Sequence, residues 1–284
     1  MKHTGTDSQF TETLQISQLW NTGSTSKKCL GQRREMDILE TSEYDRRQRR
    51  NTSCVLFLYL LPFFASCTIY FYLWIPDSAP SLMAAGIKAA PVLSLALLVF
   101  IYNGGWSLLG VAGGLLLSAG GDCCLIWPQL FIPGMGCFAL AHMLYAFTFL
   151  SSRYSKTSSS SSVFILNLLL WSIGGGMYVY LVPFLRLDPD ADILVPAIGG
   201  YVLLIVIMAT MATRTRRSLL MLGSVIFMAS DLTIALTKFN VVDLEYKKHI
   251  IMITYYLAQM MIALGDVKAW MEADADDFRK WKRS

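Results

Sequence analysis

LLLSAGGDCCLIW, residues 115–127, sets one carboxylate, Asp122, inside a run otherwise suited to hydrocarbon. Ionisable side chains at membrane depth are rare, costly and by default functional. The surroundings of Asp122 confirm that the run is one of a series. Between Cys54 and Val267 the chain reads as apolar stretches of roughly twenty residues, the length needed to cross a bilayer. Of the 284 residues 54% are hydrophobic and only 15% charged, against about a quarter charged in soluble domains. The fold class is therefore all-α, a polytopic membrane helical bundle with about eight transmembrane helices.

Eight spans are expected, at 54–75, 82–102, 107–127, 130–150, 163–183, 193–213, 218–238 and 249–267. Between them lie IPDSAPS (75–81), YNGGW (102–106), SSRYSKTSSSSS (151–162), RLDPDAD (186–192) and TRTRRS (213–218). Only Pro128 and Gln129 separate the third span from the fourth, which predicts a helical hairpin. Residues 1–53 are polar, rich in Ser, Thr, Gln and Arg, and lack the apolar core of a signal peptide. They are expected to be a disordered cytosolic extension with a basic end, RRQRR (46–50), against the membrane. Residues 54–267 then form the catalytic domain and 268–284 a charged cytosolic tail.

Basic loops orient the bundle. RRQRR, Arg153 with Lys156, and Arg214 with Arg216 and Arg217 fall on one side, and the loops opposite carry almost no basic residues. The loop before the eighth span dissents, with Lys238, Lys247 and Lys248. The balance puts both termini in the cytosol. Lysines third and fifth from the end of KWKRS (280–284) have the spacing of a retrieval signal, favouring the endoplasmic reticulum. The net charge of +4 follows from these flanking residues and implies no nucleic-acid partner. The six cysteines include no CxxC pair; Cys67, Cys123, Cys124 and Cys137 sit in apolar runs as packing residues.

Glycines crowd spans three to six, among them Gly113, Gly114, Gly121 and Gly174–Gly176, allowing helix backbones to approach closely in lipid. The intramembrane ionisable residues are Lys88, Asp122, His142 and Asp231. At 1.5 Å per residue, Asp122 lies about 8 Å, Asp231 about 10 Å and Lys88 about 12 Å from the non-cytosolic ends of their spans. Tyr255 and Tyr256 lie about 10 Å in, Gln259 about 15 Å and His142 about 18 Å. Five helices thus bring polar groups to one slab. His142 and Tyr145 share a helix face, as do Tyr256 and Gln259, and Tyr255 and Gln259. The simplest arrangement is a polar chamber in which two carboxyl groups face each other. Each companion has a plainer explanation: Lys88 as a snorkelling or paired lysine, His142 as a satisfied core histidine, the tyrosines as packing residues with bonded hydroxyls. No ligand spacing expected for zinc is present, and neither metal nor other cofactor is required.

The segments LSAGGDCCLIW (117–127), FALAHMLYAFTF (138–149), FMASDLTIALTKF (227–239) and ITYYLAQMMIAL (253–264) resemble the YhhN family, and within it the animal lysoplasmalogenases. IYFYLWIPDSAPS (69–81) and IKAAP (87–91) extend the likeness, which covers residues 60–267 with all eight spans in order. The resemblance implies an eight-helix membrane enzyme that hydrolyses the vinyl ether bond of lysoplasmalogen. Its products are a fatty aldehyde and glycerophosphoethanolamine or glycerophosphocholine. It places the family's two aspartates at Asp122 and Asp231 as the catalytic pair, and Lys88, His142, Tyr256 and Gln259 on motif positions. With Tyr145 and Tyr255 these position water or substrate; the implied partners are the lysophospholipid substrate and membrane lipids. Enol ethers are labile to acid, so one carboxyl group kept protonated beside one left ionised suits the reaction. A proton-coupled transporter and a non-catalytic lipid-binding protein are the alternatives, although no internal repeat supports the former.

Overall fold

Among the described residues, seven helices are long and apolar enough to cross a membrane, and an eighth is apolar but shorter. The computed structural model describes residues 54–73, 80–104, 108–151, 154, 161–239, 241 and 246–281, the last seven of these by backbone alone. The extension 1–53, with RRQRR, and also Arg153, Lys156 and the end of KWKRS, lie outside the described residues. The helices are α1 (Cys54–Leu73), α2 (Leu82–Asn103), α3 (Val111–Cys124), α4 (Phe131–Leu150), α5 (Ser161–Leu185), α6 (Ala191–Arg214), α7 (Ser218–Lys238) and α8 (Lys247–Trp281). The chain divides into two units, residues 1–59 and 60–284. In the first, the described residues are the opening turns of α1; everything below concerns the second. The chain is an integral membrane protein.

Two elements depart from the expected spans. The third span was expected over 107–127, but α3 has only 14 residues, about 21 Å of helix against a hydrocarbon core of about 30 Å. Its end is closed by a bond from Leu125 N to Gly121 O at 2.9 Å and by turns through Trp127. Pro128 then opens a single 3-10 turn, Pro128–Leu130, that leads into α4; proline suits a first helical position because its N–H would be unpaired there anyway. The hairpin is as tight as Pro128-Gln129 implied. At the other end of the chain, α8 continues past Val267 through the charged segment to Trp281, so the expected tail begins as helix.

Helix neighbours in the second unit form a closed ring: α2 with α3, α3 with α4, α4 with α6, α6 with α7, α7 with α8, and α8 with α2. Helix α3 also touches α8 across that ring, and α5 packs outside it on α6. Helix α5 buries little beyond Leu170, Gly174, Leu181 and Leu185; Phe164, Leu168, Trp171 and Val179 are exposed, as a lipid-facing helix requires. Its three glycines leave the helix continuous.

In lipid, apolar side chains gain little by leaving their surroundings, so helix association depends on close packing and internal hydrogen bonds. Small residues supply the first. A Cβ on Gly114 would fall 2.2 Å from the Tyr145 ring, and one on Gly121 2.6 Å from the Phe138 ring. Those two glycines of α3 are the seats for two aromatic rings of α4. In α2, Ser81 caps the helix by accepting from Ala84 N at 3.1 Å. Pro91 withholds the N–H that would bond Ile87 and crowds that turn. In the same turn the Lys88 carbonyl accepts the Tyr256 hydroxyl at 2.8 Å, tying α2 to α8.

Candidate active site

Each of the six ring helices contributes polar side chains to the interior. Lys88 comes from α2, Ser118 and Asp122 from α3, His142 and Tyr145 from α4, Tyr201 from α6, Asp231 from α7, and Tyr255, Tyr256 and Gln259 from α8. Ser118, His142, Tyr145 and Gln259 are fully buried and Asp122 is 2% exposed. At such depth every polar group needs a protein partner, and the partners sort these residues into three sets.

The first set surrounds Asp122. Lys88 Nζ lies 3.7 Å from its Oδ1, and the Tyr255 hydroxyl donates to its Oδ2 at 2.7 Å. One oxygen of this buried carboxyl group thus faces a cation and the other accepts a hydrogen bond. The Tyr255 ring is held edge-on against Phe138, centroids 5.9 Å apart.

The second set surrounds Asp231. His142 Nε2 lies 3.1 Å from its Oδ2, and the Tyr201 hydroxyl donates to the same oxygen at 2.5 Å. His142 Nε2 also lies 3.1 Å from the Tyr201 hydroxyl, and its Nδ1 lies 3.3 Å from Met208 Sδ. Phe227 closes over the imidazole at 4.8 Å between centroids.

The third set is a supporting link. The Tyr145 hydroxyl donates to Gln259 Oε1 at 2.9 Å. Ser118 lies near that hydroxyl without meeting hydrogen-bond geometry, and Gln259 Nε2 has no protein acceptor.

Asp122 and Asp231 line the same cavity, of about 350 Å³, together with Lys88 and Tyr255. His142, Tyr145, Tyr256 and Gln259 are not among the residues that line it. A second, apolar cleft between α4, α6 and α7 is lined by Met135, Ile198, Ile205 and Met228. The two meet at Leu125, Phe131, Phe138, Ile234 and Asp231, residues common to both linings. Asp231 therefore sits at the junction of an apolar cleft and a polar chamber. Among the described residues no three His, Cys, Asp or Glu side chains converge as a metal site.

The expected chamber places its two carboxyl groups opposite each other; in the structure each has its own set of partners within one cavity. Sequence reading passed over Tyr201, which in GGYVLL looks like any aromatic in an apolar run. Only its height on α6, about 12 Å into its expected span and so near the level of Lys88 and Asp231, carries a signal. It also passed over Asp266. That carboxylate, 2% exposed, accepts from Asn103 Nδ2 at 2.6 Å and from the Tyr154 hydroxyl. It joins α8, the end of α2 and the segment after α4, away from the cavity.

The pattern of the YhhN family matches residues 83–265, a stretch holding every one of these side chains except Asp266. The chain belongs to the YhhN family. Among similar proteins, lysoplasmalogenase TMEM86B of Sus scrofa is 37% identical over 211 residues, 73% of this chain and 85% of the relative. The Homo sapiens TMEM86B lysoplasmalogenase is 37% identical over 213 residues, 74% and 87% of the two chains. Lysoplasmalogenase TMEM86A of Bos taurus is 34% identical over 237 residues, 78% and 92%. No solved structure matches this YhhN chain.

Proposed function

We propose that this YhhN protein is a lysoplasmalogenase that hydrolyses the vinyl ether bond of lysoplasmalogen to a fatty aldehyde and a glycerophospho-alcohol. The names of its relatives support the activity. The observation that carries the chemistry is the pair of carboxyl groups, Asp122 and Asp231, in one cavity at the mouth of an apolar cleft.

A vinyl ether is cleaved by protonating the vinyl carbon farther from the oxygen, which leaves an oxocarbenium ion. Water then adds to the carbon bearing oxygen, releasing one proton, and the hemiacetal collapses to aldehyde and alcohol. The site must lend a proton, tolerate a cation and recover a proton from water. With the alkenyl chain in the apolar cleft, the vinyl carbons reach Asp231 at the junction. Its neighbours suit proton traffic, because His142 can hold and return a proton to the oxygen it faces. Asp122 beside Lys88 suits the anionic role of stabilising the cation and orienting water. The division of labour parallels glycoside hydrolysis, in which two carboxyl groups flank an oxocarbenium-like transition state. Tyr145, Tyr256 and Gln259 act indirectly, by fixing Tyr255 and the α2 turn that carries Lys88. The basic segments at Arg214–Arg217 support an orientation with both termini in the cytosol.

The deciding experiment gives purified protein in detergent the vinyl-ether lysophospholipid, its ester and its alkyl ether. Aldehyde release from the first alone is the expected result. Cleavage of the ester alone makes the protein a lysophospholipase, and turnover of none contradicts enzymatic function, since a transporter needs a sealed compartment.

A further inference from the structure

The cavity that holds Asp122 and Asp231 is also lined by Lys238, Lys247 and Lys248. These residues end α7 and begin α8. They are the lysines that break the distribution of basic residues expected from topology. The same loop carries Asp243 and Glu245, so bulk charge does not single the lysines out; their shared place on the cavity wall does.

Helix α8 has no acid in its first turn and opens with Lys247 and Lys248, and a helix N-terminus is a known setting for phosphate. Lys238, at the end of α7, has its Nζ 5.0 Å from the centre of the Phe131 ring. Phe131 belongs to both the polar chamber and the apolar cleft.

Resting on the lysoplasmalogenase reading, we propose that Lys238, Lys247 and Lys248 form the subsite for the phosphodiester of the lysophospholipid. The alkenyl chain occupies the apolar cleft, the vinyl ether lies at Asp231, and the glycerol backbone leads the phosphate to the end of α7 and the start of α8. The lysines then favour a lipid whose head carries a phosphate over an uncharged ether with the same chain. They recognise a point charge rather than a planar fork, as lysine does.

Binding to the full-length protein tests this in phospholipid-free non-ionic detergent, with fluorescence of Trp127, a lining residue, or calorimetry as readout. The probes are a 1-O-alkyl lysophosphoethanolamine, whose ether is not cleaved, and the matching 1-O-alkylglycerol, which lacks phosphate. The double variant K247Q/K248Q is expected to weaken the phospholipid analogue roughly tenfold to hundredfold, the scale of lost charge-assisted hydrogen bonds. Its affinity for the alkylglycerol stays at the wild-type value, and K247R/K248R retains affinity for both. Adding K238Q weakens the phospholipid analogue further. Unchanged affinity of K247Q/K248Q for the phospholipid analogue overturns the proposal, and so does an equal loss for both probes. Glycerophosphoethanolamine alone is expected to bind far more weakly; binding as tight as the lipid's would mean a free phosphoester site and overturn the lipid assignment. Because neither ether is hydrolysed, these outcomes stand apart from turnover. Absence of aldehyde release would refute the enzymatic reading without touching the phosphate result.

Discussion

His142 Nε2 lies 3.1 Å from Asp231 Oδ2, joining two helices that are not consecutive in the ring: α6 stands between α4 and α7. The link crosses the interior rather than a packing seam, and Tyr201 of α6 bonds the same carboxylate oxygen from the helix between. Three helices thus agree on the place of one oxygen atom.

Removing the phenol tests that agreement. Tyr201→Phe deletes the hydroxyl that meets both Asp231 and His142 and leaves the ring. The expected thermal destabilisation is about 1 kcal/mol, and kcat for aldehyde release should fall roughly tenfold to hundredfold as Asp231 and His142 lose their common partner. Steady-state kinetics that place the loss in KM alone would move Tyr201 out of the proton path.

Lys88 and Asp122 form a pair that is buried almost completely, with side chains 12% and 2% exposed. Breaking one side of such a pair leaves the other charge unmet. Lys88→Met is expected to cost about 3 kcal/mol in detergent unfolding and to abolish turnover. Adding Asp122→Asn should restore much of the stability without restoring activity. A double variant no more stable than Lys88→Met would show that the two residues are energetically independent.

Asp266 provides the control, a third buried carboxylate outside the cavity. Asp266→Asn weakens the bonds from Asn103 and Tyr154 and is expected to destabilise by about 2 kcal/mol. Its kcat and KM for the protein that remains folded should equal those of the wild type. A large fall in kcat at full folding would extend the catalytic network beyond the cavity.

The helices were legible because hydrocarbon requires long uncharged runs, and Pro128-Gln129 leaves no room for anything but a hairpin. The length of α3 was not, since Leu125, Ile126 and Trp127 are apolar whether helical or turning. Nor was the continuation of α8, where hydropathy marks the end of the apolar stretch but not of the helix. Asp122, Asp231, Lys88 and His142 stood out as charges in apolar surroundings, and spacing placed them near one depth. Spacing along single helices does not say which neighbour each group meets. Tyr255 bonding Asp122 while the adjacent Tyr256 turns to the Lys88 backbone depends on how α8 is rotated against α2 and α3. Tyr201 was hidden for the same reason: its hydroxyl acquires meaning only once α6 lies between α4 and α7.

The central claim is that carboxyl groups in the ring interior protonate the vinyl carbon farther from the ether oxygen. Hydrolysis of the vinyl-ether lysophospholipid in D2O, with the aldehyde trapped at once by reduction to the alcohol, reads that step by mass spectrometry. One deuterium at the carbon next to the former aldehyde carbon is expected, with product formation lowered at least roughly a hundredfold in both Asp122→Asn and Asp231→Asn. Aldehyde free of deuterium at that carbon, or wild-type rates in either variant, would contradict it.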